Sequence, residues 1–349
     1  MFKSRCHFLK DINKQTMALD SDYNISYDYD YYIDYENDIS FVGHHVEIKT
    51  GPLLSSFVCF ILIFCISVPG NSFLLWGLLR ERAWKTTTDI LLLQLIISDL
   101  CLTLSLPFKA FSLLYGWSFL DKVCGIINGA FVLGVESYIL ILTAMTLYHY
   151  VVVVHASCLS AQTSKKCGVR MASIVIWLVC AAASIEVLVN STVTHASGYM
   201  ICMYVPQSFI MLLSVTGLKL GLFFILFIII TFCFVHMWIT IKQCRINRHY
   251  QASRLILGMT VTFFLSLLPY NLFLFIHYLF AFDVLDFAEW RTAMYYSGFI
   301  IPTLPYIHCF LNPLLHLFGA QRFRRHLPVP CNTSSERHVT FSLQWQSLL

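Results

Sequence analysis

Seven hydrophobic stretches, each long enough to cross a bilayer, run between residues 53 and 318 and constrain this chain more than any other feature. A span needs about 20 mostly apolar residues, because the hydrocarbon core is about 30 Å thick. Inside lipid every backbone N–H and C=O must find its partner within the segment, so such stretches are predicted to be helices. They fall at 53–79, 87–113, 124–154, 169–190, 207–241, 253–281 and 292–318. The predicted fold is an all-α membrane protein, a seven-helix bundle over 51–318. An arm of residues 1–50 precedes it, and a tail of 319–349 that opens with a short amphipathic helix follows. An odd number of spans puts the two termini on opposite sides of the membrane.

Composition supports this: the chain is 58% hydrophobic and 12% charged, against roughly 25% charged in a soluble domain. The net charge of +4 hides an asymmetry. Asp20, Asp22, Asp28, Asp30, Asp34, Glu36, Asp38 and Glu47 precede the first span, with Lys49 the one base between 18 and 50. Bases gather instead after the first span (Arg80, Arg82, Lys85), after the third (Lys165, Lys166, Arg170), after the fifth (Lys242, Arg245, Arg248, Arg254) and at the start of the tail (Arg322, Arg324, Arg325). Lys and Arg in short loops mark the cytoplasmic side, so the N-terminus is expected outside and the tail inside. Residues 1–16 are polar and basic and lack the apolar core of a cleavable signal peptide, which leaves the first span as the insertion signal. Their composition differs sharply from the acidic run that follows, and a translation start at Met17 is one account of that.

Topology sorts the 13 cysteines. Cys6, Cys124 and Cys202 fall on the oxidising side. Cys158, Cys167, Cys244 and Cys331 face the reducing cytosol, and the rest lie within spans as small hydrophobes. A Cys124–Cys202 bond would tie the outer end of the third span to the loop between the fourth and fifth, leaving Cys6 over.

Ordered motifs within the spans resemble those of rhodopsin-like G-protein-coupled receptors: Gly70 and Asn71, then Leu95, Ile96, Ile97, Ser98 and Asp99, then Cys124, Trp177, Pro269, and Asn312 with Pro313. Over about residues 20–327 the chain resembles the chemokine receptors, with the XC-type and CC-type members nearest. The resemblance rests on the acidic, tyrosine-rich arm, Leu106-Pro107-Phe108, Gly116-Trp117 and Val153-Val154-His155-Ala156. It extends through Arg254-Leu255-Ile256, Leu268-Pro269-Tyr270-Asn271, His308-Cys309 and Arg322-Phe323-Arg324-Arg325.

The resemblance implies a plasma-membrane receptor, not an enzyme. Its expected partners are a basic chemokine, a heterotrimeric G protein or arrestin, and lipid, with no nucleic acid. Tyr23, Tyr27, Tyr29, Tyr31, Tyr32 and Tyr35 stand among acids and are candidate sulfotyrosines; a solvated arm that does not fold alone is the bland reading. An anionic arm raises the encounter rate with a basic ligand. Lys109, Trp117 and Tyr270 are the expected ligand contacts in the bundle. Lys109, Glu136, Glu186 and Lys219 are ionisable groups within spans, which are costly there and usually face the interior. For Lys109 the choice is ligand cavity or snorkelling; Glu186 and Lys219 could snorkel; Glu136 is divided between a buried hydrogen bond and the ligand. Asn24 and Asn190 head glycosylation sequons on the outer side, and that of Asn332 is discounted as cytosolic.

Asp99 with Asn71 and Asn312 resembles the central site that holds a sodium ion in this class, the one cofactor expected. A neutral, packed Asp99 is the alternative. The switch positions depart from the family. Tyr148-His149-Tyr150 replaces Asp-Arg-Tyr, His316 replaces the Tyr that follows Asn312-Pro313, and Leu267 precedes Pro269 where many relatives have Trp. Ile225 stands for a proline, Cys233 for a tyrosine and Pro302 for a glutamate. Arg and His are not interchangeable, so His149, Tyr150, Pro269, Pro313 and His316 are the coupling positions to watch. No P-loop, metal-spaced Cys or His pair or His-Glu-x-x-His motif is present, and no repeat halves of a transporter. Three readings stay open: a signalling chemokine receptor, a scavenger that binds without coupling, and a receptor for another peptide.

Overall fold

The computed structural model describes residues 50–80, 86–154, 162–196, 199–244, 250–282, 284–285 and 287–319. The acidic arm with its tyrosines and Asn24, the loops at 81–85, 155–161 and 245–249, and the tail from 320 with its expected helix lie outside the described residues.

Seven helical spans are present, from 23 to 34 residues long. The first is α1 (Thr50–Arg80). The second is made of two helices, α2 (Thr87–Thr103) and α3 (Leu106–Tyr115). Its break has a local cause: Pro107 has no N–H to donate, and its ring would strike the carbonyl of Thr103 in an unbroken helix. At the start of α2 the Thr86 hydroxyl accepts the N–H of Asp89 at 3.1 Å, a side-chain cap on an otherwise orphaned donor. The third, fourth, fifth and sixth spans are α4 (Asp121–Val154), α5 (Gln162–Val189), α6 (Phe209–Cys244) and α7 (Tyr250–Ala281). Pro302 and Pro305 interrupt the seventh: α8 (Phe287–Ile300) passes through a 3₁₀ segment, Ile301–Tyr306, into α9 (Ile307–Gly319).

The third span is the central post, packed against the second, fourth and fifth, while the seventh closes the ring between the first and sixth. Small residues let these helices approach where lipid supplies no hydrophobic drive. A Cβ on Gly134 would lie 2.9 Å from the Leu102 Cβ, and one on Gly70 would lie 2.8 Å from the Pro313 Cβ. The core runs through Leu74, Leu91, Leu95, Tyr138, Leu142, Phe263 and Leu267. Leu62, Leu178, Leu218 and Leu265 are among the large apolar residues left exposed on the outside of the bundle, which is the surface lipid would cover.

Between the fourth and fifth spans lies a hairpin, β1 (Ser191–Ala196) and β2 (Tyr199–Tyr204), antiparallel with Val193 opposite Cys202. It marks one end of the bundle and serves below as its landmark.

Candidate functional site

At the hairpin end, Cys202 of β2 is disulfide-bonded to Cys124 in the first turn of the third span. Non-covalent ties surround that bond. The Trp117 backbone N–H donates to the Met200 carbonyl at 2.6 Å, and Asp121 Oδ1 accepts the Val193 N–H at 2.8 Å. Trp117 is buried beneath the hairpin with Cys124 and Ile127, against Phe108 and Phe119. It supports the hairpin from below.

Glu186 is held by hydrogen bonds at the end of the fourth span. Its Oε1 accepts the Tyr204 hydroxyl at 2.6 Å and the Asn190 amide at 3.0 Å. The Asn190 side chain also donates to the Glu186 carbonyl at 3.0 Å. The second expected glycosylation site is thus folded into the end of the fourth span. Glu136 and Lys219 likewise pair with each other, Nζ to Oε1 at 3.3 Å, with side chains 23% and 39% exposed. Among the described residues this ion pair joins the third and fifth spans within the membrane, where partners for such charges are the rule. Sequence reasoning had assigned the two groups separate fates.

Below the hairpin, Lys109 on α3 turns inward, its ammonium 5.1 Å from the centre of the Phe131 ring. Such a contact is worth about 0.5–1 kcal/mol when exposed and about 2 when desolvated. Phe131 in turn lies 6.2 Å from Tyr270 and 5.6 Å from Tyr306. The second, third, sixth and seventh spans therefore contribute one aromatic-walled recess containing one cation. No carboxylate among the described residues forms an ion pair with Lys109.

At mid-bundle the expected polar residues gather. Asn312 Nδ2 donates to Asp99 Oδ2 at 2.7 Å and to the Tyr138 hydroxyl at 2.8 Å. Asn71 sits beside this group: its amide donates to the Cys309 carbonyl at 2.9 Å and to Ser67 Oγ at 3.1 Å. Two residues that sequence reasoning did not place beside Asp99 complete it. His308 places Nε2 3.4 Å from Asp99 Oδ1, and Tyr138 stacks on Phe263 with ring centres 4.8 Å apart. A tyrosine in mid-span carries no charge, so charge patterning does not single it out. Its hydroxyl, costly to bury without a partner, was the signal. Asp99, His308 and Cys309 also bring an oxygen, a nitrogen and a sulfur within 4.8 Å of one another, a grouping that spacing along the chain does not reveal.

At the far end, His149 is 6% exposed, and its Nε2 lies 3.4 Å from the Thr88 hydroxyl on the second span. Tyr150 points to the fifth span, its hydroxyl 2.9 Å from His236 Nδ1. His316 is buried at 1% exposure on α9. Pro269 and Pro313 lie within α7 and α9.

Comparison with known proteins agrees with this geometry. The 7 transmembrane receptor (rhodopsin family) matches residues 70–316. The human Chemokine XC receptor 1 is 32% identical over 275 residues, 78% of this chain and 80% of the relative. The human C-C chemokine receptor type 8 is 28% identical over 278 residues, 79% and 78% of the two chains. Its counterpart in Macaca mulatta is 27% identical over 288 residues, covering 82% and 80%. Receptors of this kind are not enzymes. With seven spans, a hairpin held to the third of them, and relatives of this identity over most of its length, the chain belongs to the rhodopsin family of seven-transmembrane receptors and, within it, to the chemokine receptors: a multi-pass plasma-membrane protein.

Proposed function

We propose that the chain captures a basic chemokine at its hairpin end, which faces the outside. The acidic, tyrosine-rich segment before α1 makes the first, electrostatic contact, and the recess of Lys109, Phe131, Tyr270 and Tyr306 receives the inserted part of the ligand. One observation carries this reading: at the end of the bundle where the Cys124–Cys202 bond fastens the hairpin to the third span, the Lys109 ammonium lies 5.1 Å from the centre of the Phe131 ring. A lone ammonium at membrane depth is costly, and an anionic group on the ligand would relieve that cost. The relatives' names support a chemokine over another peptide. The family reading also includes signalling through a heterotrimeric G protein, with arrestin as a second partner.

A second reading, capture with little G-protein coupling, is favoured by the far end. A buried His149 turned toward Thr88 offers no long, permanently charged donor to a cytoplasmic partner. The experiment for both is a chemokine-panel binding assay on cells expressing the full chain, with G-protein and arrestin readouts taken together. A saturable ligand with robust G-protein activation supports the signalling receptor. The same ligand with internalisation alone supports the scavenger. No binding by any chemokine overturns both. Replacing Lys109 by Ala should weaken the bound ligand about tenfold, the loss of one buried ionic contact of roughly 1.4 kcal/mol; unchanged affinity removes Lys109 from the recess.

A further inference from the structure

We infer that the polar centre of this bundle is closed to sodium, and that Tyr138 and His308 occupy the place the ion would take. A hard cation is held by oxygens, about six of them in a compact shell. Both carboxylate oxygens of Asp99 already face nitrogen: Oδ2 receives the Asn312 amide at 2.7 Å, and Oδ1 lies 3.4 Å from His308 Nε2. Next around the carboxylate comes the Cys309 sulfur, 3.5 Å from the same imidazole nitrogen. Nitrogen and sulfur suit softer metals, and they take positions where a hard ion needs oxygen.

Space is filled as well as charge. The Tyr138 ring stacks on Phe263 at 4.8 Å and lies 4.7 Å from the His308 ring, while its hydroxyl accepts from the Asn312 amide. Tyr138, His308, Asp99 and Asn312 are each between 0 and 2% exposed. Among the described residues, the buried side-chain oxygens here that lack a hydrogen-bond partner are Asp99 Oδ1, Asn71 Oδ1 and Asn312 Oδ1. Three side-chain oxygens fall short of a hard-ion shell of about six, and the carboxyl one faces the imidazole. The work such an ion does, joining spans around a buried carboxylate, is done here by side chains. Asn312 links the seventh span to the second and third, and the His308 ring reaches Asp99 on the second and Ser266 Oγ on the sixth, at 3.4 Å each.

Thermal unfolding of the detergent-purified full chain tests this, in sodium chloride against potassium and N-methylglucamine chlorides at equal ionic strength. A ligand that binds only the folded state raises the midpoint in proportion to the logarithm of its concentration. The unmodified chain should unfold at the same temperature in all three salts. Tyr138→Ser, which opens the space and leaves a hydroxyl oxygen, should acquire a sodium-specific rise of about 2–4 °C. Where that variant does not fold, His308→Asn opens the other side of Asp99, and the same gain is expected. A sodium-specific rise in the unmodified chain that Asp99→Asn abolishes overturns the inference. A folded Tyr138→Ser or His308→Asn chain that stays indifferent to sodium also overturns it, since the replaced side chain was then not what excluded the ion.

Discussion

The two ends of the bundle are held by different means. At the hairpin end a covalent bond, a two-stranded ladder and a carboxylate shared by Tyr204 and Asn190 act on one short stretch of chain. At the far end no disulfide is found among the described residues, and the third span meets its neighbours through non-covalent contacts that include His149 to Thr88, Tyr150 to His236 and the packing of Val153 on Met237. A surface that must present fixed groups to a ligand gains from preorganisation. An end that must rearrange for a cytoplasmic partner needs contacts of modest worth, because a ligand shifts an equilibrium only by its differential affinity for the two states. His149 and His316, where the chain departs from the expected family pattern, lie at the far end, while the disulfide of the hairpin end is present.

The most direct way to break this contrast is to remove the disulfide. Cys124→Ser and Cys202→Ser should each cost about 2–4 kcal/mol of stability and sharply reduce surface expression, measured by flow cytometry on intact cells. The double variant should be no worse than either single one, since both remove one bond. Additive losses would mean that the thiols act separately.

Next in size is the arm. Replacing Tyr27, Tyr29, Tyr31 and Tyr32 together by Phe removes the candidate sulfation sites while leaving the apolar rings. Chemokine affinity should fall several-fold at low salt and its salt dependence should flatten, because exposed charges are screened over about 8 Å at physiological ionic strength. Equilibrium binding across a salt series measures this, and an unchanged slope rules out an electrostatic role for these tyrosines.

The far end is probed by restoring what its relatives carry. His149→Arg with His316→Tyr should raise agonist-driven G-protein activation, while chemokine affinity changes only as far as the population shift requires. Strong activation by the unmodified chain would show that the histidines suffice. The basic loop with Arg245, Arg248 and Arg254 would then be the next place to look for the contact.

The smallest expected effect returns to the hairpin. Tyr204→Phe and Glu186→Gln should each cost about 1 kcal/mol or less, with a coupling of similar size in a double-mutant cycle on thermal stability. Zero coupling would detach the Tyr204–Glu186 bond from the fastening of the hairpin.

Much of this molecule was legible along the chain. Seven apolar runs set seven helical spans, because lipid leaves the backbone no other way to pair its polar groups. Pro302 and Pro305 marked where the seventh would break, because a missing donor and a ring clash act within one turn; the same cause splits the second at Pro107, which was read as one stretch. Asp99, Asn71 and Asn312 were expected together on resemblance alone. Partners were a different matter. Glu136 finding Lys219, Glu186 finding Tyr204, and Tyr138 and His308 closing around Asp99 depend on how each helix is rotated and how deeply it seats against its neighbours. A helix's own pattern says which residues share a face; it does not say which face of which other helix they will meet. The sequence by itself determined the spans and the charges they carry. The tertiary structure alone decided which of those charges are spent on one another and which one, Lys109, is left facing the recess.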